Sequence, residues 1–209
     1  MISSANTKAN VKKVYAFDFD GTLTTRDTLI EFIRFAKGNV SFVVGFLLFS
    51  PILVLMKLGC YPNWKAKQKV FSYFFKGMSI REFEEKCKNF AECRAELIRL
   101  KGLKTVDKAV DENAKVVIVS ASIENWVRAF FRQFGLDMVI ISGTKIEVKN
   151  AVVTGQFIGN NCYGPEKVRR IQELFPDRKQ YKLIAFGDSK GDRELLAYAD
   201  ESHYKPFRK

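Results

Sequence analysis

The sequence predicts an α/β fold in which helices cover both faces of a parallel β-sheet. Short apolar runs rich in β-branched residues recur at residues 14–17, 115–119, 138–141 and 183–186. Runs of this length, separated by helical stretches, are typical of the buried strands of a parallel sheet. Polar side chains follow three of these runs, namely Asp18, Ser120 and Asp188. We therefore predict a doubly wound, Rossmann-like core whose ligand site lies beyond the carboxyl ends of the strands.

Helix-end signals place helices between these strands. Ser122 and Gly135 are the expected N-cap and C-cap of a helix over residues 123–134. Pro165 suits the first position of another helix. A capping box that begins at Ser79 predicts a helix that reaches about residue 100.

Nearly a hundred residues separate the first predicted strand from the second, far more than one crossover helix requires. Residues 28–100 have a helical pattern, and we expect them to form an inserted helical cap domain. Residues 1–27 and 101–209 would then form the α/β core that carries the catalytic groups. Within the core, residues 145–158 alternate in polarity and predict a β-hairpin or two short strands.

The composition excludes several classes of catalysis. Of the 209 residues, 47% are hydrophobic and 28% are charged, as in a folded globular protein. His203 is the only histidine, so Ser-His-Asp catalysis, Cys-His catalysis and histidine-rich zinc sites are not expected. The four cysteines form no C-x-x-C pair and indicate reduced thiols. Residues 1–13 lack the apolar stretch of a secretory signal, so we expect a cytoplasmic protein.

The formal net charge of +12 favours anionic partners, with a generally basic soluble surface as the alternative. Phosphorylated substrates, nucleic acid and acidic membranes all fit this charge. Nucleic-acid-binding proteins usually interleave aromatic and basic residues on an exposed sheet. Here the phenylalanines lie mainly in helical apolar runs such as residues 42–49 and 71–75. No nucleic-acid partner is therefore expected.

Residues 40–58 form the most apolar segment of the chain and are about long enough to span a bilayer. Ser50-Pro51 at the centre is expected to break this helix into two halves. Three interpretations stay open: a helical hairpin buried in the cap, a segment that dips into a membrane surface, and a true span. The residues with the spacing of a packed helical seam are Phe42, Phe46, Phe49, Leu53 and Met56. The lysines placed to meet anionic headgroups are Lys65, Lys67, Lys69 and Lys76.

The strongest motif, Asp18-Phe19-Asp20-Gly21-Thr22, comes directly after the first predicted strand. Residues i and i+2 at the end of a strand project the same way, so Asp18 and Asp20 would face one crevice. One carboxylate can attack phosphorus to form an aspartyl-phosphate, and the other can protonate the leaving oxygen and then activate water. Gly21 would let the backbone approach a phosphoryl group, whose oxygens the free amides at Gly21 and Thr22 would bind.

A second acidic cluster, Asp188 and Asp192, follows the last predicted strand. Carboxylates at this spacing are hard oxygen ligands that suit Mg²⁺, which would offset repulsion between a phosphate and the first two acids. Ser120 would donate a hydrogen bond to a phosphoryl oxygen, with a helix N-cap as the alternative. Lys167 would lie in the first turn of the helix that Pro165 opens, where its charge and the helix dipole both favour an anion.

In this order, the DFDGT motif, Ser120, Lys167 and the GDSKGD motif resemble the four motifs of the haloacid dehalogenase superfamily of phosphohydrolases. The place of the insert, between the first and second motifs, resembles the subgroup that includes phosphoserine phosphatase. The resemblance implies that Asp18 is the nucleophile and Asp20 the general acid/base. It further implies that Ser120, Ala121 and Lys167 hold the phosphoryl group.

The same resemblance implies a Mg²⁺ cofactor. Its ligands would be Asp18, Asp188 and the backbone carbonyl of Asp20, and Asp192 would support the metal or the lysine.

Departures from the phosphoserine phosphatase pattern bear on the substrate. Asp27 stands where those enzymes have a glutamate, and Ala121 stands where they have a glycine. Their carboxylate-binding arginine has no clear equivalent, and its neighbourhood here contains Lys67. Asp27 and Lys67 are the expected cap contacts to substrate. The apolar residues 40–58, followed by a basic helix, resemble phosphatidylglycerophosphatase C, a lipid-headgroup phosphatase with this core.

We therefore expect a Mg²⁺-dependent phosphomonoester hydrolase that works through an aspartyl-phosphate. Its substrate would be a small phosphomonoester such as phosphoserine, or a phospholipid headgroup. One alternative is a phosphatidylglycerophosphate phosphatase that docks through its apolar cap at the inner face of a membrane. Another, from a different class, is a non-catalytic protein that binds an anionic membrane or RNA.

Overall fold

The computed structural model describes residues 12–208, which contain a six-stranded sheet flanked by helices. The sheet order is β4-β3-β2-β1-β5-β6, and every neighbouring pair is parallel except β3 and β4. The predicted α/β fold with a largely parallel sheet is confirmed. The strands are β1 (Lys12–Phe17), β2 (Lys115–Ile123), β3 (Ile140–Lys149), β4 (Val152–Ile158), β5 (Tyr181–Gly187) and β6 (Glu201–Tyr204).

Four of the helices lie between β1 and β2, in the long interval where the sequence predicts an insert. These are α1 (Thr28–Lys57), α2 (Asn63–Phe75), α3 (Ile80–Cys93) and α4 (Leu100–Asp111). The helices that follow β2 are α5 (Glu124–Gln133), α6 (Pro165–Leu174) and α7 (Arg193–Tyr198).

Alternate residues of the central strands pack into two separate apolar clusters, one on each face of the sheet. On one face, Ala16 of β1 lies in a cluster with Ile171 of α6 and Leu195 of α7. On the other face, Phe17 stacks on Phe186 of β5 at 4.4 Å between ring centroids. Full burial of one such side chain contributes about 1.5–3 kcal/mol. Both faces are therefore apolar and covered, which holds the carboxyl ends of β1 and β5 in register.

Aromatic side chains join the inserted helices to the core. Phe32 of α1 lies 4.8 Å from Trp126 of α5, 5.2 Å from Phe75 of α2 and 5.3 Å from Phe90 of α3, between ring centroids. Pairs of this kind contribute about 0.5–1.5 kcal/mol each beyond their buried area. The start of α1, which follows the first acidic motif, is thereby fixed against α5.

Two strands are longer than the sequence indicates. The run at 115–119 continues as β2 to Ile123, with a shift of register between Val119 and Ile123, so Ser120 lies inside the strand. The run predicted at 138–141 starts at Ile140 and continues to Lys149, where it pairs with β4 as the predicted hairpin. One strand therefore takes part in both a parallel and an antiparallel pairing.

The prediction that the helix opened by Ser79 reaches about residue 100 is wrong. Ser79 accepts the expected capping bond from the Glu82 amide, but α3 ends at Cys93. Beyond it the chain pairs with the segment after the first acidic motif: the Thr25 amide donates to Leu97 O at 2.8 Å. This pairing buries Leu97 and gives its backbone a partner, which outweighs the local preference for helix.

The predicted break at Ser50-Pro51 is also absent. Pro51 lies inside α1, and the Ser50 hydroxyl donates at 2.7 Å to Leu47 O, the carbonyl that a proline at position 51 leaves without its amide partner. The interruption lies instead at Gly38, whose φ of 80° is readily adopted by glycine. We call residues 40–58, which follow this kink, the apolar arm.

The apolar arm has one side packed and one side exposed. Among the described residues, α1 is the one helix long and apolar enough to cross a membrane, a test that core helices of soluble proteins also pass. The predicted seam faces inward, since Phe42 is buried and the other four seam residues are half-buried. The outward side exposes large apolar side chains, namely Val40, Val43, Val44, Leu47, Leu48, Val54, Leu55 and Leu58. The arm is therefore not a buried hairpin. A helix that crossed a membrane would lose the packing contacts of the seam residues.

The first turn of α6 is fixed by an ion cluster at its surface. Glu166 accepts hydrogen bonds from Arg169 Nε at 2.8 Å and from Arg170 Nε at 3.2 Å. The bonds from Arg169, more than those from Arg170, lower the pKa of Glu166 from its ordinary 4.5 to about 2. The next residue along the helix is Lys167, so this cluster helps to fix the lysine.

We expect Glu166→Gln to lower the free energy of unfolding at pH 7 by about 1–3 kcal/mol. Because the folded-state pKa of Glu166 is depressed, its stabilisation is complete above the unfolded value and is lost as the pH falls toward 2. Urea denaturation between pH 7 and pH 3 should therefore show that the difference in free energy of unfolding between the two proteins becomes smaller below pH 4.5. Glu173→Gln, at an exposed partner of Arg169, is the control. A gap that is the same across this pH range would contradict the account.

Candidate active site

The predicted site residues converge at one edge of the sheet, beyond the carboxyl ends of β1 and β5. Asp18 and Asp20 follow β1, Ser120 lies near the end of β2, and Asp188 follows β5. Lys167 reaches the same place from the first turn of α6. Residues that are distant along the chain meet here because parallel strands end at the same edge.

Lys167 is the centre of a buried ion cluster. Its Nζ lies 2.5 Å from Asp18 Oδ1 and 2.6 Å from Asp192 Oδ1, and its side chain is 3% exposed. An ammonium taken out of water costs several kcal/mol, and the two carboxylates offset that cost. The structure thus brings together the predicted nucleophile, the predicted phosphate-binding lysine and one acid of the second cluster.

The pKa values of this cluster follow from burial and from mutual charge. Burial raises the pKa of the Asp18 carboxyl to about 7, although the Lys167 ammonium opposes the rise. Burial also acts to raise the pKa of Asp192, but Lys167 and hydrogen bonds from Ser189 outweigh it and lower that pKa. Burial acts to lower the pKa of Lys167, but the charges of Asp18 and Asp192 raise it, so Lys167 stays protonated.

Asp20 lies in a separate network of hydroxyl groups. Its Oδ1 accepts hydrogen bonds from the Thr28 amide at 2.9 Å and from the Thr28 hydroxyl at 2.7 Å, and its Oδ2 accepts one from Ser122. Trp126 Nε1 donates to Thr28 Oγ1 at 3.0 Å, which ties the network to the aromatic core. Burial, followed by the charge of Asp27, raises the pKa of Asp20 and favours its protonated form.

Ser122 is not the N-cap that the sequence predicts. Helix α5 begins one residue later than expected, with Ile123 at the N-cap position and no side-chain capping bond. The Ser122 hydroxyl donates to Asp20 instead, and the Ser122 amide donates to Ser120 Oγ at 3.1 Å. Ser120 is buried inside β2, and its O–H keeps the capacity to donate to a phosphoryl oxygen.

Gly21 and Thr22 have roles within the protein that the motif alone does not show. Gly21 has a φ of 79°, and a Cβ there would lie 2.6 Å from Asp188 Oδ2, so glycine is required for the two loops to approach. The Gly21 amide donates to Thr24 Oγ1 at 3.1 Å, so the prediction that this amide is free is wrong. The Thr22 hydroxyl donates to Asp18 Oδ2 at 3.1 Å and helps to orient that carboxylate.

The residues fit a divalent cation by the chemistry of their donor atoms. Asp18, Asp188 and Asp192 are buried, and one carboxylate oxygen from each lies within 4.8 Å of the others. Three hard anionic oxygens at this separation suit Mg²⁺. Asp192 has other partners too, since its Oδ2 accepts bonds from the amides of Asp188 and Ser189 at 3.1 and 2.9 Å. These bonds, together with the contact to Lys167, favour support of the lysine over binding of the metal as the role of Asp192.

A cavity of about 300 Å³ opens above these groups. A larger cavity of about 780 Å³, between α3 and α5, is lined by none of the predicted site residues. The polar side chains that line the smaller cavity include Asp18, Asp20 and Lys167, and Ala121 lies beside them. The opposite wall is apolar and comes from the insert, with Leu29, Ile30, Phe46, Leu53, Met56 and Val70.

The two predicted cap contacts, Asp27 and Lys67, both line this cavity. Asp27 is also the N-cap of α1, where its Oδ1 accepts from the Leu29 amide at 3.0 Å. Lys67 Nζ donates at 2.5 Å to Ala121 O and so bridges α2 and β2. Both side chains therefore carry structural bonds in addition to facing the cavity.

Sequence reasoning missed several side chains of the site. Thr28 and Ser122 hold Asp20, and Asn161 and Tyr163 line the cavity. Arg208 donates to Asp188. The one signal for Ser122 is a hydroxyl next to the end of a strand, and that signal equally predicts a helix N-cap. No local pattern marks the others, because they reach the site only through the tertiary fold.

Comparison with known proteins identifies the family of this chain. Residues 15–197 match the profile of the haloacid dehalogenase-like hydrolase family. Protein CicA from Caulobacter vibrioides is 36% identical over 196 residues, which cover 92% of this chain and 86% of CicA.

Solved structures share the fold at low sequence identity. A Bordetella pertussis Tohama I protein of unknown function has a TM-score of 0.78 and 15% identity, over 92% of this chain and 89% of that one. A phospho-aspartyl intermediate analogue of phosphoserine phosphatase has a TM-score of 0.57 and 21% identity, over 91% of this chain and 85% of that one. With the family profile matched over nearly the whole chain, the protein belongs to the haloacid dehalogenase-like hydrolase family.

Proposed function

We propose that the protein is a Mg²⁺-dependent phosphomonoester hydrolase that works through an aspartyl-phosphate on Asp18. The observation that carries this proposal is the pairing of Asp18 with the buried Lys167 below a cavity whose rim also holds Asp20. A nucleophilic carboxylate, a fixed cation and a separate acid are the groups that phosphoryl transfer requires. Residues 28–100 would serve as the cap over this cavity.

In the first step an Asp18 oxygen attacks phosphorus and the bond to the ester oxygen breaks. Asp20 donates its proton to that leaving oxygen, so the alcohol departs neutral. The hydroxyl groups of Thr28 and Ser122 hold the Asp20 carboxyl in place during this transfer. Lys167 and the Ser120 hydroxyl would bind the non-bridging oxygens, where negative charge is concentrated.

In the second step water attacks the phosphorus of the aspartyl-phosphate and Asp20 takes the proton. The bond from phosphorus to the Asp18 oxygen breaks, which releases phosphate and restores both carboxyl groups. Mg²⁺ held by Asp18, Asp188 and the Asp20 carbonyl, with Asp192 supporting the lysine, would neutralise charge on the phosphoryl group when bound. The chain itself supplies the nucleophile, the proton carrier and the buried cation.

We expect Asp18→Asn to lower the rate of phosphate release from p-nitrophenyl phosphate in Mg²⁺ by about 10³-fold or more, because the amide cannot act as the nucleophile. Asp137→Asn, at an exposed position outside the site, should keep the full rate. Thermal unfolding of each variant separates loss of the nucleophile from loss of the fold. Mg²⁺-dependent release by a folded Asp18→Asn variant would refute the assignment. An unmodified protein without turnover on any phosphomonoester would favour the non-catalytic alternative.

A second, narrower candidate is a phosphatase of phospholipid headgroups that docks on an anionic membrane through the apolar arm. The arm faces two ways: its outward side is exposed, with Leu47 68% exposed, and Phe46, Leu53 and Met56 on its inward side line the cavity. One helix would then meet lipid on its outer side and an apolar part of the substrate on its inner side. Exposed lysines nearby would meet anionic headgroups, namely Lys57, Lys65, Lys69 and Lys76.

Phosphoserine fits this cavity less well, because six apolar side chains of the helices between β1 and β2 line it. Its carboxylate and amino group would have to be read by Lys67 and Asp27, which already bond to Ala121 O and to the start of α1. Mixed micelles of phosphatidylglycerophosphate, assayed against phosphoserine, distinguish the two substrate classes.

We expect the full chain to float with vesicles that contain phosphatidylglycerol, and to float less well as salt is raised. Leu47→Glu should weaken this binding about 10- to 100-fold, because it removes a leucine side chain whose burial in the membrane would contribute about 1.5–3 kcal/mol, and it adds an anion. Leu100→Glu, at a leucine of similar exposure on α4, is the matched control. Equal flotation of the two variants, or no flotation of the unmodified chain, would rule out membrane docking through the arm.

A further inference from the structure

The segment that follows β6 returns to the candidate active site. The Lys205 amide donates to Gly187 O at 2.8 Å, at the end of β5. Phe207 is buried and lies 5.7 Å from Phe186 between ring centroids. Arg99 Nη1 donates to Phe207 O at 3.4 Å. These contacts fix the backbone of the segment next to the loop that carries Asp188.

From this fixed backbone, Arg208 extends its guanidinium group to the Asp188 carboxylate, donating to Oδ2. The Asp188 side chain is 8% exposed and the Arg208 side chain 43%, so the cation approaches a buried anion from the solvent side. The other oxygen, Oδ1, faces the Thr22 hydroxyl at 3.4 Å. Arg208 therefore engages the oxygen that lies nearest Gly21, in a carboxylate whose two oxygens both lie beside the first acidic motif.

The pairing of charges in the site is divided between two cations. Lys167 contacts Asp18 and Asp192, and within residues 12–208 the ion pair of Asp188 is made with Arg208. Without Arg208, the buried Asp188 carboxylate would face two other buried carboxylates with no cation of its own. Such a carboxylate would turn toward solvent, and this change of orientation would impair it as a metal ligand.

We propose that Arg208 is a positioning residue that holds the Asp188 carboxylate in the orientation needed to bind the divalent cation. This inference rests on the proposed metal site. The partners that hydrogen-bond to a ligating carboxylate fix its orientation, and their removal typically costs 10–100-fold in metal affinity. The burial of Phe207 fixes the backbone next to Arg208 and so limits the positions that the Arg208 side chain can take.

The geometry separates this role from a simple effect of charge. If Arg208 acted only through its positive charge, it would repel the cation and its removal would tighten metal binding. If it acts by orientation, its removal weakens binding. Lysine at the same position keeps the charge but lacks the planar fork of donors that matches a carboxylate. Arg208→Lys therefore separates charge from orientation.

The test is calorimetric titration of Mg²⁺ into the metal-free, substrate-free full chain. We expect Arg208→Ala to raise the Kd for Mg²⁺ about 10–100-fold and Arg208→Lys to raise it by a smaller factor. Arg128→Ala is the matched control, because the Arg128 side chain is also 43% exposed and pairs with Glu124 outside the site. Its Kd should equal that of the unmodified protein. Thermal unfolding with and without Mg²⁺ confirms that each variant is folded.

A Kd for Arg208→Ala equal to or lower than that of the unmodified protein would overturn the proposal, while leaving the proposed function intact. An unmodified protein that does not bind Mg²⁺ would overturn the metal assignment together with this inference. The two failures are therefore distinguishable in one titration series.

Discussion

The buried contact between Lys167 and Asp18 is the constraint on which the rest of the site depends. An ammonium and two carboxylates are held in the protein interior, where each unpaired charge would cost several kcal/mol. The distances between Lys167 and the two carboxylates stay constant only if the end of β1, the start of α6 and the loop after β5 keep fixed positions relative to one another. Covered apolar faces on both sides of the sheet provide that relation. Apolar burial in the core thus offsets the free energy needed to bury the charges, and a cation is fixed beside the predicted nucleophile.

The two aspartates of the first motif are only two residues apart, yet the fold gives them different surroundings. Asp18 contacts Lys167, whereas Asp20 is held by the hydroxyl groups of Thr28 and Ser122. A carboxylate beside a fixed cation is suited to attack, and one in a neutral hydroxyl network is suited to carry a proton. Thr28 is held in turn by Trp126, so the packing of α1 against α5 determines the position of Asp20, the proposed proton carrier.

Local signals predict every strand except β6, together with the two acidic motifs and the place of Lys167, because each depends on short-range pattern and on the rule that parallel strands end together. Ser122 could not be assigned from the sequence, since a hydroxyl before a helix suits an N-cap and an acid partner equally well. A proline usually interrupts a helix, so the sequence predicts a break at Ser50-Pro51. The Ser50 hydroxyl supplies the partner of Leu47 O and so removes most of the cost of the proline. Hydropathy alone cannot separate a buried helix from a lipid-facing one. Only the tertiary structure shows that one side of the apolar arm is exposed.

The most direct test of the central claim is chemical trapping of the intermediate. The Asp20→Asn variant, which lacks the base for the second step, would be mixed with p-nitrophenyl phosphate and Mg²⁺, quenched and reduced with borohydride. Reduction converts an aspartyl-phosphate to homoserine, which peptide mass spectrometry locates in the chain. The account predicts homoserine at position 18. Homoserine at another aspartate, or phosphate release without any trapped residue, would contradict it.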